Sequence, residues 1–138
     1  MSYLRGMAGI GLLFVSINLF AAALKCDICG MPLEEHGRNH IILRSQNQSK
    51  TPMHVCSLSC TKKALKHDAS YTSYEVMDFN HPENSLSGDK AFFLIKSENI
   101  QKDLGDKVMS PYFGAFASKK EAEDAKVKYK DGVVVEGI

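Results

Sequence analysis

Two close cysteine pairs carry most of the chemistry this sequence can offer. Cys26-Asp27-Ile28-Cys29 runs directly into Gly30-Met31-Pro32, and Cys56-Ser57-Leu58-Ser59-Cys60 holds the other two thiols. Thiolates and thioethers are soft donors, which select Cu(I), zinc or iron–sulfur centres over magnesium or calcium. A C-x2-C pair followed by a C-x3-C pair is also the usual frame of a tetrahedral zinc site. An even cysteine count in a small exported domain permits disulfides as well. Copper, structural zinc and disulfides are therefore three readings of the same Cys26, Cys29, Cys56 and Cys60.

Two methionines extend the soft-donor set. Met31 is tied to Cys29 by Gly30, and Pro32 then restricts the chain. Met109 lies in Val108-Met109-Ser110-Pro111, a turn before an apolar run, where loops carry function. Met53 and Met77 fall on strand patterns and read as core. Cys56 precedes a helix start, where backbone amides favour a thiolate, and Cys60 follows one turn later. His54 would share a strand face with Cys56 and reads as an exposed strand histidine. There is no phosphate loop, no Ser/His/Asp arrangement of defined spacing and no carboxylate pair with an assignable role.

Residues 1–23 read as a signal peptide. Arg5 gives a positive start, Met7–Phe20 is mostly apolar, and Ala21-Ala22-Ala23 suits signal peptidase. The alternative is an uncleaved membrane anchor. Lys25 stands where a lipid-attachment signal carries a small residue, which disfavours lipidation of Cys26. The chain carries 17 Lys and Arg against 16 Asp and Glu. This balance, with signs interspersed, argues against nucleic acid as a partner and gives no polybasic membrane patch. The expected setting is periplasmic, with membrane contact only through an uncleaved leader or a maturation complex.

The elements that must position these donors form an α+β pattern. Residues 39–44, 51–56 and 73–79 read as strands, with a helix from Ser57 to about His67 between the second and third. The order returns with strands at 91–96 and 112–117, a helix opened by the capping box Ser118-Lys119-Lys120-Glu121, and a strand at 133–136. Two small β-β-α-β units with antiparallel strands, each packed on one helix, are predicted. They divide the chain into a cysteine-rich metal-binding unit over 24–80 and a unit over 81–138 that carries Met109. Val55-Cys56-Ser57 holds the place of Phe116-Ala117-Ser118, which suggests a duplication. Each half is small enough to need the other.

Cys29-Gly30-Met31, Val55-Cys56-Ser57, Met109-Ser110-Pro111 and Phe116-Ala117-Ser118-Lys119-Lys120-Glu121 together resemble the nitrous-oxide reductase accessory (NosL) family. The resemblance spans the sequence after the leader. It implies a periplasmic Cu(I)-binding metallochaperone that supplies the copper centres of nitrous oxide reductase. It also implies two small β-β-α-type domains, a fold shared with the organomercurial lyase core. By matching position it offers Cys29, Met31 and Met109 as copper ligands, with Cys56 next. Family members often carry Met-Gly-Pro where this chain has Met109-Ser110-Pro111, and Cys60 brings the second pair nearer to a heavy-metal (TRASH-like) finger.

The expected function is thus a non-catalytic Cu(I) carrier, whose partner is an exported copper enzyme or its maturation machinery. A four-cysteine zinc interaction module is the alternative. A thiol–disulfide oxidoreductase built on Cys26 and Cys29 is a weaker third reading, because Gly30-Met31-Pro32 is a turn and not the start of a helix.

Overall fold

The computed structural model describes residues 23–106 and 108–137. The leader expected over 1–23 lies, but for its last residue, outside the described residues. Among the described residues no helix is long and apolar enough to cross a membrane.

The strands are β1 (Ile41–Ser45), β2 (Met53–Val55), β3 (Tyr71–Met77), β4 (Ser85–Ser87), β5 (Phe92–Ile95), β6 (Phe113–Phe116) and β7 (Val133–Glu136). The helices are α1 (Leu58–His67), α2 (Gln101–Leu104) and α3 (Lys119–Tyr129). Two antiparallel sheets form, in the orders β2-β1-β3-β4 and β6-β5-β7. The predicted α+β class and the two β-β-α-β units are therefore present. Each unit has its first strand in the centre, its second on one side and the strand after the helix on the other. That shared order deepens the internal likeness beyond element sequence.

Two elements carry no clear sequence signal. The stretch 79–90 is rich in turn residues, yet Ser85–Ser87 pairs with β3, so the chain leaves the first sheet only after β4. The short α2 lies between β5 and β6, with the fully buried Ile100 at its N-cap.

Local chemistry explains the principal helices. Ser57 Oγ accepts from the Cys60 amide at the start of α1. Ser118 and Glu121 form the full capping box at the start of α3, as predicted. Buried Ala122, Ala125 and Tyr129 then line one face of α3 at helical spacing. In β1, fully buried Ile41 and Leu43 alternate with the half-buried Ile42, the period of a half-covered strand.

The two units share a core. Ile41, Leu43, Val55 and Val76 from the first sheet pack in one apolar cluster with Phe93, Phe113 and Ala115 from the second. Phe79, at the end of the first unit, packs in the second cluster against Phe116 and Tyr129. Its amide donates to the Ala115 carbonyl at 2.7 Å. Arg38 fastens the same junction. Its Nε donates to the Phe79 carbonyl at 2.7 Å, one terminal nitrogen donates to the Asp103 carbonyl at 3.1 Å, and the guanidinium lies over the Phe79 ring.

Gly88 shows how tightly the edge of the first sheet is packed. A Cβ there would overlap the Tyr74 ring, whose hydroxyl donates to the Gly88 carbonyl. Gly88→Ala is expected to lower stability by about 1–3 kcal/mol through overpacking. Denaturant unfolding of the variant measures this, and an unchanged midpoint would show that the ring moves aside freely.

The β1–β2 hairpin is tied to the end of α1 by the Lys50 ammonium, which donates to Asp68. That bond, with help from Ser70, lowers the Asp68 carboxyl from 3.8 to about 2. A carboxyl depressed in the folded state stabilises the fold above its unfolded value and loses that contribution as pH falls through the folded value. Both partners are solvent-accessible, so the effect is small. The stability difference between the wild type and Asp68→Asn is expected to be present at pH 5 and to vanish towards pH 2. A constant difference across that range would show that Asp68 acts through its shape alone.

Candidate metal centre

The first cysteine pair sits on a narrow hairpin. The Cys26 amide donates to the Met31 carbonyl at 2.8 Å, and the Gly30 amide donates to the Cys26 carbonyl at 2.8 Å. Lys25 and Pro32 pair as an isolated antiparallel bridge. Gly30 has φ +75°, the left-handed region that glycine enters without steric cost, and so closes the turn. As expected, the C-x2-C pair is on a turn and not at a helix start.

A carboxylate latches this hairpin to β2. The Asp27 amide donates to the His54 carbonyl at 2.8 Å, and Asp27 Oδ2 accepts from the His54 amide at 2.7 Å. The second pair sits where β2 turns into α1. Asn39 Nδ2 donates to the Cys56 carbonyl at 3.3 Å and holds that corner. Cys60 occupies the third position of α1, the position that Glu121 takes in the capping box of α3. The first unit thus replaces the capping carboxylate of its counterpart with a thiol, and replaces Ala117 with Cys56.

These two supports bring all four thiols together. Their Sγ atoms lie within 4.8 Å of one another. Cys29 Sγ is 3.4 Å from Cys56 Sγ, and Cys56 Sγ is 3.8 Å from Cys60 Sγ. A tetrahedral ion about 2.3 Å from each sulfur would set neighbouring sulfurs about 3.8 Å apart. The donor set therefore fits a soft or borderline metal ion without rearrangement of the backbone. All four cysteines are free thiols. Cys26, Cys56 and Cys60 are buried, whereas Cys29 is exposed.

The thiolate falls elsewhere than expected. Cys56, read from the sequence as the thiol favoured by helix amides, is pushed up, first by burial and then by its contacts with Cys29 and Cys26. Burial also pushes Cys60 up. At Cys26 burial again disfavours the charge, but the amides of Cys29, Ile28 and Cys56 and the Cys29 thiol outweigh it. They bring the Cys26 thiol from 9.0 down to about 7. One negative charge in the cluster raises the cost of a second, so burial and the neighbouring thiols together oppose ionisation of Cys56 and Cys60.

Met31 is half-buried and packs against the same apolar cluster as Cys26, Cys56 and Cys60. Met109 is 64% exposed. Its neighbour Val108 lines a groove of about 340 Å³ whose other wall includes Pro32 and Leu33, just past Met31.

Sequence reasoning missed the Asp27 latch, since a single carboxylate between two cysteines has no spacing signature. It also missed a histidine pair. His40 Nε2 and His54 Nδ1 are 2.8 Å apart, and His40 Nδ1 lies 2.7 Å from the Glu35 carbonyl. His54, expected as an exposed strand residue, is half-buried and hydrogen-bonded. Burial is the main cause that lowers the pKa of His40 below its ordinary 6.5 and favours the neutral ring.

No protein-family model matches the chain, and no curated protein matches it in sequence. Among solved structures, it is similar to the crystal structure of the copper chaperone NosL from Shewanella denitrificans, with a TM-score of 0.61 and 20% identity. The match covers 84% of this chain and 88% of that one. At this level of identity the likeness is one of fold: the chain has a NosL-like fold joined to a cluster of four cysteines.

Proposed function

We propose that this protein is a periplasmic, non-catalytic Cu(I) carrier that supplies copper to an exported copper enzyme, nitrous oxide reductase or one like it, or to its maturation machinery. The observation that carries this reading is one exposed thiol, Cys29, completing a cluster of three buried ones. Buried sulfurs shelter Cu(I) from oxidants. An exposed ligand gives an incoming donor a place to attack before the old bonds break. The fold likeness to a copper chaperone supports the same reading.

Cys29 and Cys26 are the first ligands in this account, with Cys56 and Cys60 behind them and Met31 and Met109 as thioether donors. The near balance of charge leaves no footprint for nucleic acid. Membrane contact would come through the leader or a maturation complex.

One observation favours a second reading. The Cys56–Cys60 sulfur separation of 3.8 Å matches the edge of a zinc–thiolate tetrahedron, and all four sulfurs lie within 4.8 Å of one another, as a structural four-cysteine module would require. X-ray absorption of the one-copper protein separates the two. The carrier should show Cu(I) with at most three sulfur neighbours. Four equivalent sulfurs, with folding lost when metal is removed, would favour the closed zinc-type site.

Met109 is tested by a paired measurement. A methionine this exposed contributes little to the core, so Met109→Ala is expected to leave the melting temperature unchanged and to weaken Cu(I) binding. A core methionine would instead cost about 2–5 kcal/mol of stability. Unchanged affinity in Met109→Ala would remove this residue from the site and leave copper to the cysteines.

A further inference from the structure

The outer face of the first sheet carries a groove that the thiol cluster does not use. Its volume is about 390 Å³. Leu24, Ile42 and Met77 supply apolar lining, and His54, His36 and Glu83 bring imidazole and carboxylate groups to it. His54, Ile42 and Glu75 lie in one cross-strand row, so their side chains share a face. Val55, next along β2, is fully buried in the core with Cys56 and Cys60. Cys56 lies beyond the end of β2 and packs in that core, so it does not share the face of His54 as the spacing suggested, and no cysteine is among the residues that line the groove.

The hydrogen bonds settle which nitrogen of His54 is available. The Glu35 carbonyl can only accept, so His40 Nδ1 carries a proton and donates to it. In neutral His40 the other nitrogen, Nε2, is then an acceptor. His54 Nδ1 must donate to it across 2.8 Å. In neutral His54 this leaves Nε2 with a bare lone pair. A histidine whose far nitrogen donates to a fixed acceptor is oriented in the way metal-ligating histidines are. Here a second imidazole and a backbone carbonyl supply that support.

We infer that this groove is a second metal site, distinct from the thiol cluster, in which His54 Nε2, His36 and the Glu83 carboxylate take a divalent transition cation of the Cu(II), Ni(II), Co(II) or Zn(II) class. Imidazole with carboxylate suits these ions, whereas Cu(I) prefers the sulfurs. Only His54 is fixed in advance. His36 and Glu83 are exposed side chains on loops and must turn inward to meet it, since among the described residues only the four cysteines already converge closely enough to hold an ion. Glu83 lies 3.6 Å from His81 Nδ1 at the open surface, a contact weak enough to exchange for a cation. The inference does not depend on which metal the thiols hold.

The test fills the thiols first, anaerobically, with one equivalent of Cu(I), or of Zn(II) if the thiols prefer it. Co(II) is then titrated and followed by its visible spectrum. One further equivalent is expected to bind without a sulfur-to-metal charge-transfer band. His36→Gln should weaken that binding by about tenfold or more, as loss of a ligand requires. His54→Gln should do the same while its amide keeps a donor for His40, so the thermal melt should hold. His36 is on a solvent-accessible loop, which keeps the test open even if His54→Gln folds poorly. No second equivalent, a sulfur band on the cobalt, or binding indifferent to both substitutions would each overturn the inference.

Discussion

Replacing Cys29 with serine should abolish tight Cu(I) binding and leave the fold as it is. A serine hydroxyl is a hard and poor donor to Cu(I). Cys29 is the exposed member of the cluster and lies 3.4 Å from Cys56 Sγ, so its loss opens the metal to solvent on the side where an acceptor would approach. The expected loss is at least about 100-fold in affinity, the upper end of what changes outside the ligand shell cost. Its exposure means that little packing goes with it, so the melting temperature of the metal-free variant should match the wild type. Chelator competition and a thermal melt of the same preparation check both parts. Full affinity in Cys29→Ser would place the metal wholly among the buried thiols and remove the transfer argument.

Phe93→Ala should have the opposite signature. Phe93 is fully buried on the central strand of the second sheet, 6.1 Å from the Phe113 ring, in the cluster that also holds Cys26, Cys56 and Cys60. Truncating such a phenylalanine costs about 3–5 kcal/mol. A domain of this size holds about 5–15 kcal/mol in total, so the variant should be marginally folded. Because the core is shared, both sheets should unfold together and metal binding should fail with them. Urea unfolding followed by circular dichroism measures the loss. Retention of native Cu(I) affinity in a chain whose second sheet has melted would show that the two sheets are energetically independent.

The contrast between these two variants follows what residue order can and cannot encode. Ser57 and Ser118 mark the starts of α1 and α3, because a cap is a local event between residues three apart. The strands β5, β6 and β7 are visible as short apolar runs. Ser85–Ser87 is not, because two serines around one half-buried leucine give no period, and pairing with β3 makes it a strand. The four cysteines are recognisable as donors. Their convergence depends on the Asp27 latch and on the packing of the hairpin against α1, which are tertiary. The thiolate differs from expectation for a related reason. A helix terminus is legible in sequence, but the burial of Cys56 and its contacts with Cys26 and Cys29 are not.

The thiol cluster is proposed as a Cu(I) cargo site. The most direct measurement is an anaerobic titration of the reduced protein with Cu(I) against a competing chelator, repeated with Zn(II). About one Cu(I) per chain is expected to bind, far more tightly than zinc, with the metal-free protein already folded. Equal or stronger zinc binding, together with unfolding when zinc is withdrawn, would contradict it and make the four cysteines a structural site.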